Sequence, residues 1–187
     1  AFHTFSAQNK NENIEKKGLI DKEMKSYAAK MNAGNINPNT LNYDLQYQRM
    51  DVSIDPAVHN ISGSVTSHFK PNQAMSSIYF DLNINMFATQ FIYHGQNLVG
   101  QQFSSNELKI DFPNTLPANV LDSITIQYHG APSLANNAFF TNTQGGNAVL
   151  STLNEPYGAQ DWFPTKQSLN DKIERFDIKV TTPAQYS

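Results

Sequence analysis

The sequence predicts an all-β fold, an antiparallel β-sandwich or saddle of about eight or more strands with a short helical extension at its N-terminus. Three observations carry that expectation. From Tyr43 onward, short segments of alternating apolar and polar residues recur between Gly, Pro and Asn turn signals. Only one stretch, near the N-terminus, has helical periodicity. A hydrophobic content of 39% and a charged content of 16% over 187 residues are those of a folded domain of ordinary size.

The chain opens with Ala1-Phe-His-Thr-Phe-Ser-Ala-Gln8, an apolar stretch ending near the small pair Ser6-Ala7. It reads either as the tail of an export signal with its small-residue cleavage site or as an unstructured end. The first reading leads to a secreted or periplasmic protein. Ile20, Met24, Tyr27, Ala28 and Met31 then fall on one helical face, with Lys16, Lys17, Lys22, Lys25 and Lys30 mostly outside it. Gly18 disfavours an earlier start, so a helix is predicted over about 19–32. Its stripe is narrow and not aromatic, which fits a helix docked on its own domain better than a membrane-surface helix. The Asn-rich stretch 33–42, with Gly34 and Pro38, reads as a linker. Residues 1–42 thus form an extension and residues 43–187 the domain.

Strands are expected at Tyr43–Ile54, Ile61–Phe69, Ser77–Leu82, Phe87–Tyr93, Glu107–Phe112, Ser123–Tyr128, Ala148–Leu153 and Phe176–Thr182. Met50, Val52 and Ile54 alternate with Asp51, Ser53 and Asp55. Leu108, Ile110 and Phe112, and likewise Ile124, Ile126 and Tyr128, repeat the pattern. Apolar parity changes between Tyr47 and Met50, as a bulge or a passage between sheets would require. Turns are expected at Asp55-Pro56, Ser62-Gly63, Lys70-Pro71, His94-Gly95 and Phe112-Pro113-Asn114, and a long loop from Asn136 to Asn147.

Several function classes are excluded. A net charge of −3 without a basic patch argues against nucleic acid as a partner. The absence of cysteine excludes disulfides and thiolate chemistry. No apolar run approaches the roughly 18–20 residues that span a bilayer, so no transmembrane segment is expected. There is no His-Glu-x-x-His, no nucleophile elbow and no phosphate loop. His59, His68, His94 and His129 lie on separate segments, and Asp51, Asp55 and Asp81 read as solvent-facing turn carboxylates. The chain itself is therefore expected to bind no metal and no cofactor.

Glu155 differs because of its neighbours. Pro156 biases it toward an extended backbone, Tyr157-Gly-Ala159 turns tightly, and Trp162-Phe163-Pro164 can pin the far side of the loop in a core. A carboxylate held at both ends can meet a ligand amine in a charge-assisted hydrogen bond. From the residues alone, a plain turn carboxylate is the competing reading.

An ordered set of segments resembles the N-terminal β-domain of the aminopeptidase N family, the gluzincin zinc aminopeptidases, in its bacterial type. These are the strand Tyr43-Asp-Leu-Gln-Tyr-Gln-Arg-Met-Asp-Val-Ser-Ile-Asp-Pro56, Ile61-Ser-Gly-Ser-Val65, Tyr79-Phe-Asp-Leu82, the strand at Leu108 and Ile126-Gln-Tyr-His-Gly-Ala-Pro132. Glu155 to Lys172 and the closing strand Phe176-Asp-Ile-Lys-Val-Thr-Thr-Pro183 complete it. The resemblance implies that Glu155 binds the α-amino group of a peptide substrate, with Leu153, Pro156 and Tyr157 beside it and Trp162, Phe163, Pro164 and Lys172 anchoring the loop. It implies a zinc metallopeptidase domain of the same polypeptide as partner, carrying the zinc and the catalytic groups; this fragment, without the metal motif, is expected to be inactive alone. The sequence departs from the family at Leu153, where Gln is frequent, at Gln160, where Arg is common, and over Pro164-Thr-Lys-Gln-Ser-Leu169. Lys172 reads either as pairing with a carboxylate across the loop or as an exposed cation. A different class of function, a stand-alone secreted module binding carbohydrate or protein, would need Tyr157 and Trp162 exposed as a stacking platform.

Overall fold

Alternation decides which side of each strand is buried, and register lines the buried sides up across strands. In the computed structural model, which describes residue 24 and residues 36–135, 138–155 and 157–186, this produces three sheets. The strands are β1 (Tyr43–Asp55), β2 (Val58–Pro71), β3 (Met75–Asp81), β4 (Met86–Tyr93), β5 (Gln96–Asn97), β6 (Gly100–Phe103), β7 (Glu107–Leu116), β8 (Asp122–Gly130), β9 (Phe139–Gln144), β10 (Asn147–Thr152) and β11 (Arg175–Thr181). Six strands form one sheet in the order β11-β1-β2-β8-β4-β5, three form a second in the order β3-β7-β6, and β9 pairs with β10 as a separate hairpin. The all-β class expected from the sequence holds. The helix predicted over 19–32 lies outside the described residues, apart from Met24.

Met50, Val65, Ile126 and Phe91 stand in one row across β1, β2, β8 and β4. The second sheet contributes Ile78 opposite Ile110 and Phe80 opposite Leu108. All eight are buried in one apolar cluster with Tyr43, Leu45, Phe69, Ile124 and Tyr128. Burying each such side chain contributes about 1.5–3 kcal/mol, which makes this cluster the main stabilising element of the fold.

The structure departs from the sequence reading at identifiable points. The parity change in β1 arises from a register shift between Leu45 and Tyr47, slightly earlier than expected. Ser62-Gly63 is not a turn but lies inside β2, and Pro113-Asn114 lies inside β7. The stretch 136–147 is not all loop: Phe139–Gln144 pairs antiparallel with β10 through a turn in which Gly145 and Gly146 adopt φ of 56° and 85°. Two consecutive left-handed residues are what a tight hairpin needs, and glycine supplies them without strain. The antiparallel expectation also has an exception. β11 lies parallel to β1, with Tyr47 opposite Arg175 and Val52 opposite Val180. A parallel neighbour cannot be reached through a hairpin; residues 56–174 lie between β1 and β11, and the last stretch of this crossover, residues 153–174, leads from β10 to β11.

Residues 36–42 are fixed to the sandwich although their composition reads as linker. Asn37 accepts from the Asn39 N–H at 3.0 Å, starting a 3-10 turn over Pro38–Thr40, and Thr40 is fully buried. Asn37 Nδ2 donates to Asp81 at 3.1 Å and Asn39 Nδ2 to Glu107 at 2.7 Å. The same asparagines that disfavour regular structure thus cap a turn and tie it down.

Gly63 is set by close backbone approach. A Cβ there would stand 2.2 Å from the Asp51 carbonyl oxygen and 2.8 Å from Val52 Cα. Gly63→Ala is expected to force β1 and β2 apart and destabilise the domain by about 1–3 kcal/mol, read as a lowered urea midpoint; an unchanged midpoint would contradict this tight approach.

Candidate functional site

The crossover 153–174 runs from the β9–β10 hairpin to the parallel edge strand, so its backbone must find partners outside any ladder. It begins at Leu153, whose N–H donates to Ala138 O at 2.9 Å. Gly158 N–H donates to Asn154 O at 2.6 Å, closing a turn around Glu155, and a 3-10 turn follows over Ala159–Asp161. Leu153 and Tyr157 are half-buried and Glu155 is exposed, while Pro156 lies outside the described residues. The carboxylate expected to meet an amine is therefore placed on an exposed turn.

The far side of this turn is held in the core. Trp162 and Phe163 are 6% and 5% exposed. The indole packs against Phe139 at 5.8 Å and edge-on against Phe163 at 4.7 Å, and Phe163 contacts Phe176 of β11 at 5.9 Å. Trp162 Nε1 donates to Asn154 Oδ1 at 2.7 Å, so the buried indole has its polar partner. A ring this buried offers no platform for stacking a sugar, which counts against the stand-alone binding module. Pro164 is buried, and its carbonyl accepts from Gln48 Nε2 at 3.3 Å.

Beyond Pro164 the crossover passes between the two sheets. Asp81 and Thr165 exchange backbone bonds at 2.7 and 3.1 Å, and Asn83 N–H donates to Gln160 O at 2.8 Å. Asp81 is itself buried, 5% exposed, accepting from Gln167 N–H at 2.9 Å and from Asn37 Nδ2. Its sequence reading as a solvent-facing turn carboxylate is overturned, because the crossover and Asn37 cover it. Desolvation pushes the Asp81 carboxyl above its ordinary value of 3.8, while the Gln167 and Asn37 hydrogen bonds pull it down.

The charged anchor of the crossover is Lys166. Its side chain is 4% exposed and donates to Tyr43 O and to Asp171, and its ammonium lies 4.6 Å from the Tyr43 ring centroid. Asp171 also accepts from Leu45 N–H at 3.3 Å. Lys172, by contrast, is exposed. The sequence reading passed over Lys166, Asp171 and Asn154. A lysine two residues beyond a buried Phe-Pro pair, with a carboxylate five positions on, was the available signal.

Among the described residues, no group of three or more His, Asp or Glu side chains is arranged to hold a metal ion. His59 Nε2 contacts Pro132 O at 2.7 Å and His94 Nε2 contacts Asp122 at 2.8 Å, at separate places in the fold. No helix among these residues is long and apolar enough to cross a membrane.

Residues 39–187 match the family model of the peptidase M1 N-terminal domain. The chain belongs to this family. The M1 N-terminal domain fold recurs in solved structures. The M1 zinc metallopeptidase from Deinococcus radiodurans superposes with a TM-score of 0.69 at 22% identity, over 78% of this chain and 34% of that one. A mutant of the same enzyme bound to a Tyr-Ser-Ala substrate gives 0.68 at 22% identity, over 80% and 35%. A yeast hydrolase in complex with bestatin gives 0.62 at 17% identity, over 81% and 25%. The chain spans about a third of the length of the first structures it matches. No curated protein sequence matches it.

Two outcomes follow for the M1 domain's crossover. Lys166→Met leaves Asp171 without its cation and should cost on the order of 3 kcal/mol, measured by urea unfolding; a change within error would show that the pair holds nothing together. For Asp81, a folded-state value above that of the unfolded chain means the native state binds the proton more tightly. Its contribution to stability therefore falls as pH rises from 3.8 through the raised value. The stability of the wild type relative to Asp81→Asn should fall over that interval, and a pH-independent difference would contradict the burial effect.

Proposed function

We propose that this domain is the non-catalytic, substrate-facing part of a zinc aminopeptidase, in which Glu155 binds the α-amino group of a peptide substrate. In this reading it packs against a metallopeptidase domain of the same polypeptide, which carries the zinc and the groups that cleave the bond. Leu153, Pro156 and Tyr157 border the amine site, and the buried Trp162-Phe163-Pro164 run sets the loop's position. The described residues do not suit zinc, so no step of metal chemistry is assigned to them.

The observation that carries this reading is an uncovered apolar strip on β11, joined through Phe176 to the crossover that bears Glu155. Ile178 and Val180 stand opposite Met50 and Val52, on the face that forms the core, yet they are 56% and 49% exposed while Met50 and Val52 are buried. The strip is continuous with Phe176, which packs on Phe163 of the crossover. A core face that outgrows its covering sheet is a surface suited to another domain. Placed there, that domain would pack on β11 and on the Trp162-Phe163-Pro164 run of the crossover that carries Glu155. An exopeptidase needs such a contact, because it must recognise a charged amine as well as a peptide bond, and a fixed carboxylate does this through a charge-assisted hydrogen bond. Delivery to the periplasm or the exterior is part of the proposal, supported by the apolar Ala1–Gln8 stretch with its small pair Ser6-Ala7.

The test uses the full-length polypeptide and aminoacyl-anilide substrates. Glu155→Ala should lower kcat/KM by about ten- to a hundredfold, the equivalent of one charged hydrogen bond of roughly 1.5–3 kcal/mol. An unchanged kcat/KM would reject the role given to Glu155.

A further inference from the structure

We infer that Asn154 is a positioning residue for amine recognition, coupling the buried indole of Trp162 to the carboxylate of Glu155. The inference rests on the reading of Glu155 given above and extends it to a residue whose side chain need not touch the substrate.

Asn154 is held twice. Its backbone carbonyl accepts from Gly158 N–H at 2.6 Å, which closes the turn that contains Glu155. Its side-chain oxygen accepts from the indole N–H of Trp162 at 2.7 Å. The second bond spans eight residues and joins the start of the exposed turn to a ring wedged between Phe139 and Phe163. The indole cannot shift without disturbing this aromatic cluster, so its donor is a fixed point. Asn154 transmits that fixed point to the peptide unit it shares with Glu155.

The chemistry of the side chain suits the task. A buried indole N–H left without an acceptor costs on the order of 1–3 kcal/mol, so the bond resists opening. The asparagine amide supplies the acceptor without adding a second negative charge beside Glu155. Fixing the backbone that leads into Glu155 lowers the entropic cost of presenting its carboxylate to an amine. Preorganisation through Asn154 removes part of that cost.

The test separates positioning from general structural support. In the full-length polypeptide, competitive inhibition is measured with a ligand bearing a free α-amine and with its des-amino analogue. Asn154→Ala should weaken the amine-bearing ligand by about three- to tenfold and leave the des-amino analogue unchanged. Trp162→Phe, which removes the donor but keeps an aromatic ring, should act in the same direction. Asn154→Asp, which keeps the acceptor, should preserve amine selectivity. Equal weakening of both ligands, or of neither, would overturn the inference, and a variant that fails to fold leaves the other two to decide. Glu155→Ala is measured in parallel. If it does not discriminate between the two ligands, the reading of Glu155 fails; if it does and Asn154→Ala does not, only the role of Asn154 fails.

Discussion

The fold depends on one buried cation. Lys166 is buried at the start of β1 with its ammonium against Tyr43 O, Asp171 and the Tyr43 ring. An ammonium in that position is tolerated only if its hydrogen bonds are satisfied, because desolvating it costs several kcal/mol. Asp171 spends its second interaction on Leu45 N–H, beside the bulge where β1 changes parity. A single ion pair therefore fixes the crossover, the start of β1 and the place where the buried face of that strand switches. The Tyr43 hydroxyl extends the arrangement by donating to Tyr79 O at 2.7 Å, and burial raises its pKa well above the ordinary value. From this node the crossover can proceed only toward β1, and β11 is delivered to its parallel edge.

The register of β11 is then specified by charge on the outer face. Arg49 stands opposite Asp177, and Asp51 opposite Lys179. Tyr47 donates to Asp177 at 2.9 Å and lies under the Arg175 guanidinium, 5.8 Å from its ring centroid. The hydrogen bonds from Arg175 and Tyr47 hold the Asp177 carboxyl below its usual range. Each exposed pair contributes little to stability. Their value is directional: a slip by two residues would set Arg49 against Arg175 or Lys179 across strands, and a slip by one would bring Ile178 and Val180 to the polar side. Parallel pairing is slightly weaker per residue than antiparallel pairing, so a strand paired on one edge gains from such a code.

Most strands were legible in the sequence because their alternation is strict and their buried rows are apolar. The rows through Met50 and Ile126 needed only the period of two. What escaped was structure made by polar side chains acting at long range. Asparagines at 37 and 39 resemble a linker until Asp81 and Glu107 are brought beside them, and the Asn136–Asn147 composition hid a strand whose Phe139 is anchored by Trp162. Gly63 carried the signal of a turn and in fact permits two strands to approach. At the candidate site, the Trp-Phe-Pro run was visible as a core insertion only from its apolar character. The partners of that run, Asn154 on one side and Lys166 with Asp171 on the other, follow from contacts that no local pattern encodes.

The location of the Glu155 turn now has a physical explanation. It sits at the junction of two elements with different demands. Upstream, the β9–β10 hairpin forms no ladder with either larger sheet. Downstream, the crossover is bound at Trp162, Thr165 and Lys166, all of them buried. The hairpin is held to the core through Phe139, which packs on Trp162, and the strap is held through Trp162 itself. The Asn154–Trp162 bond ties the start of the turn to the same ring, so the backbone of an exposed turn is fixed to the core at that point. In the proposed reading, a loop that presents a charge to a separate domain gains from that combination of an ordered backbone and an exposed position.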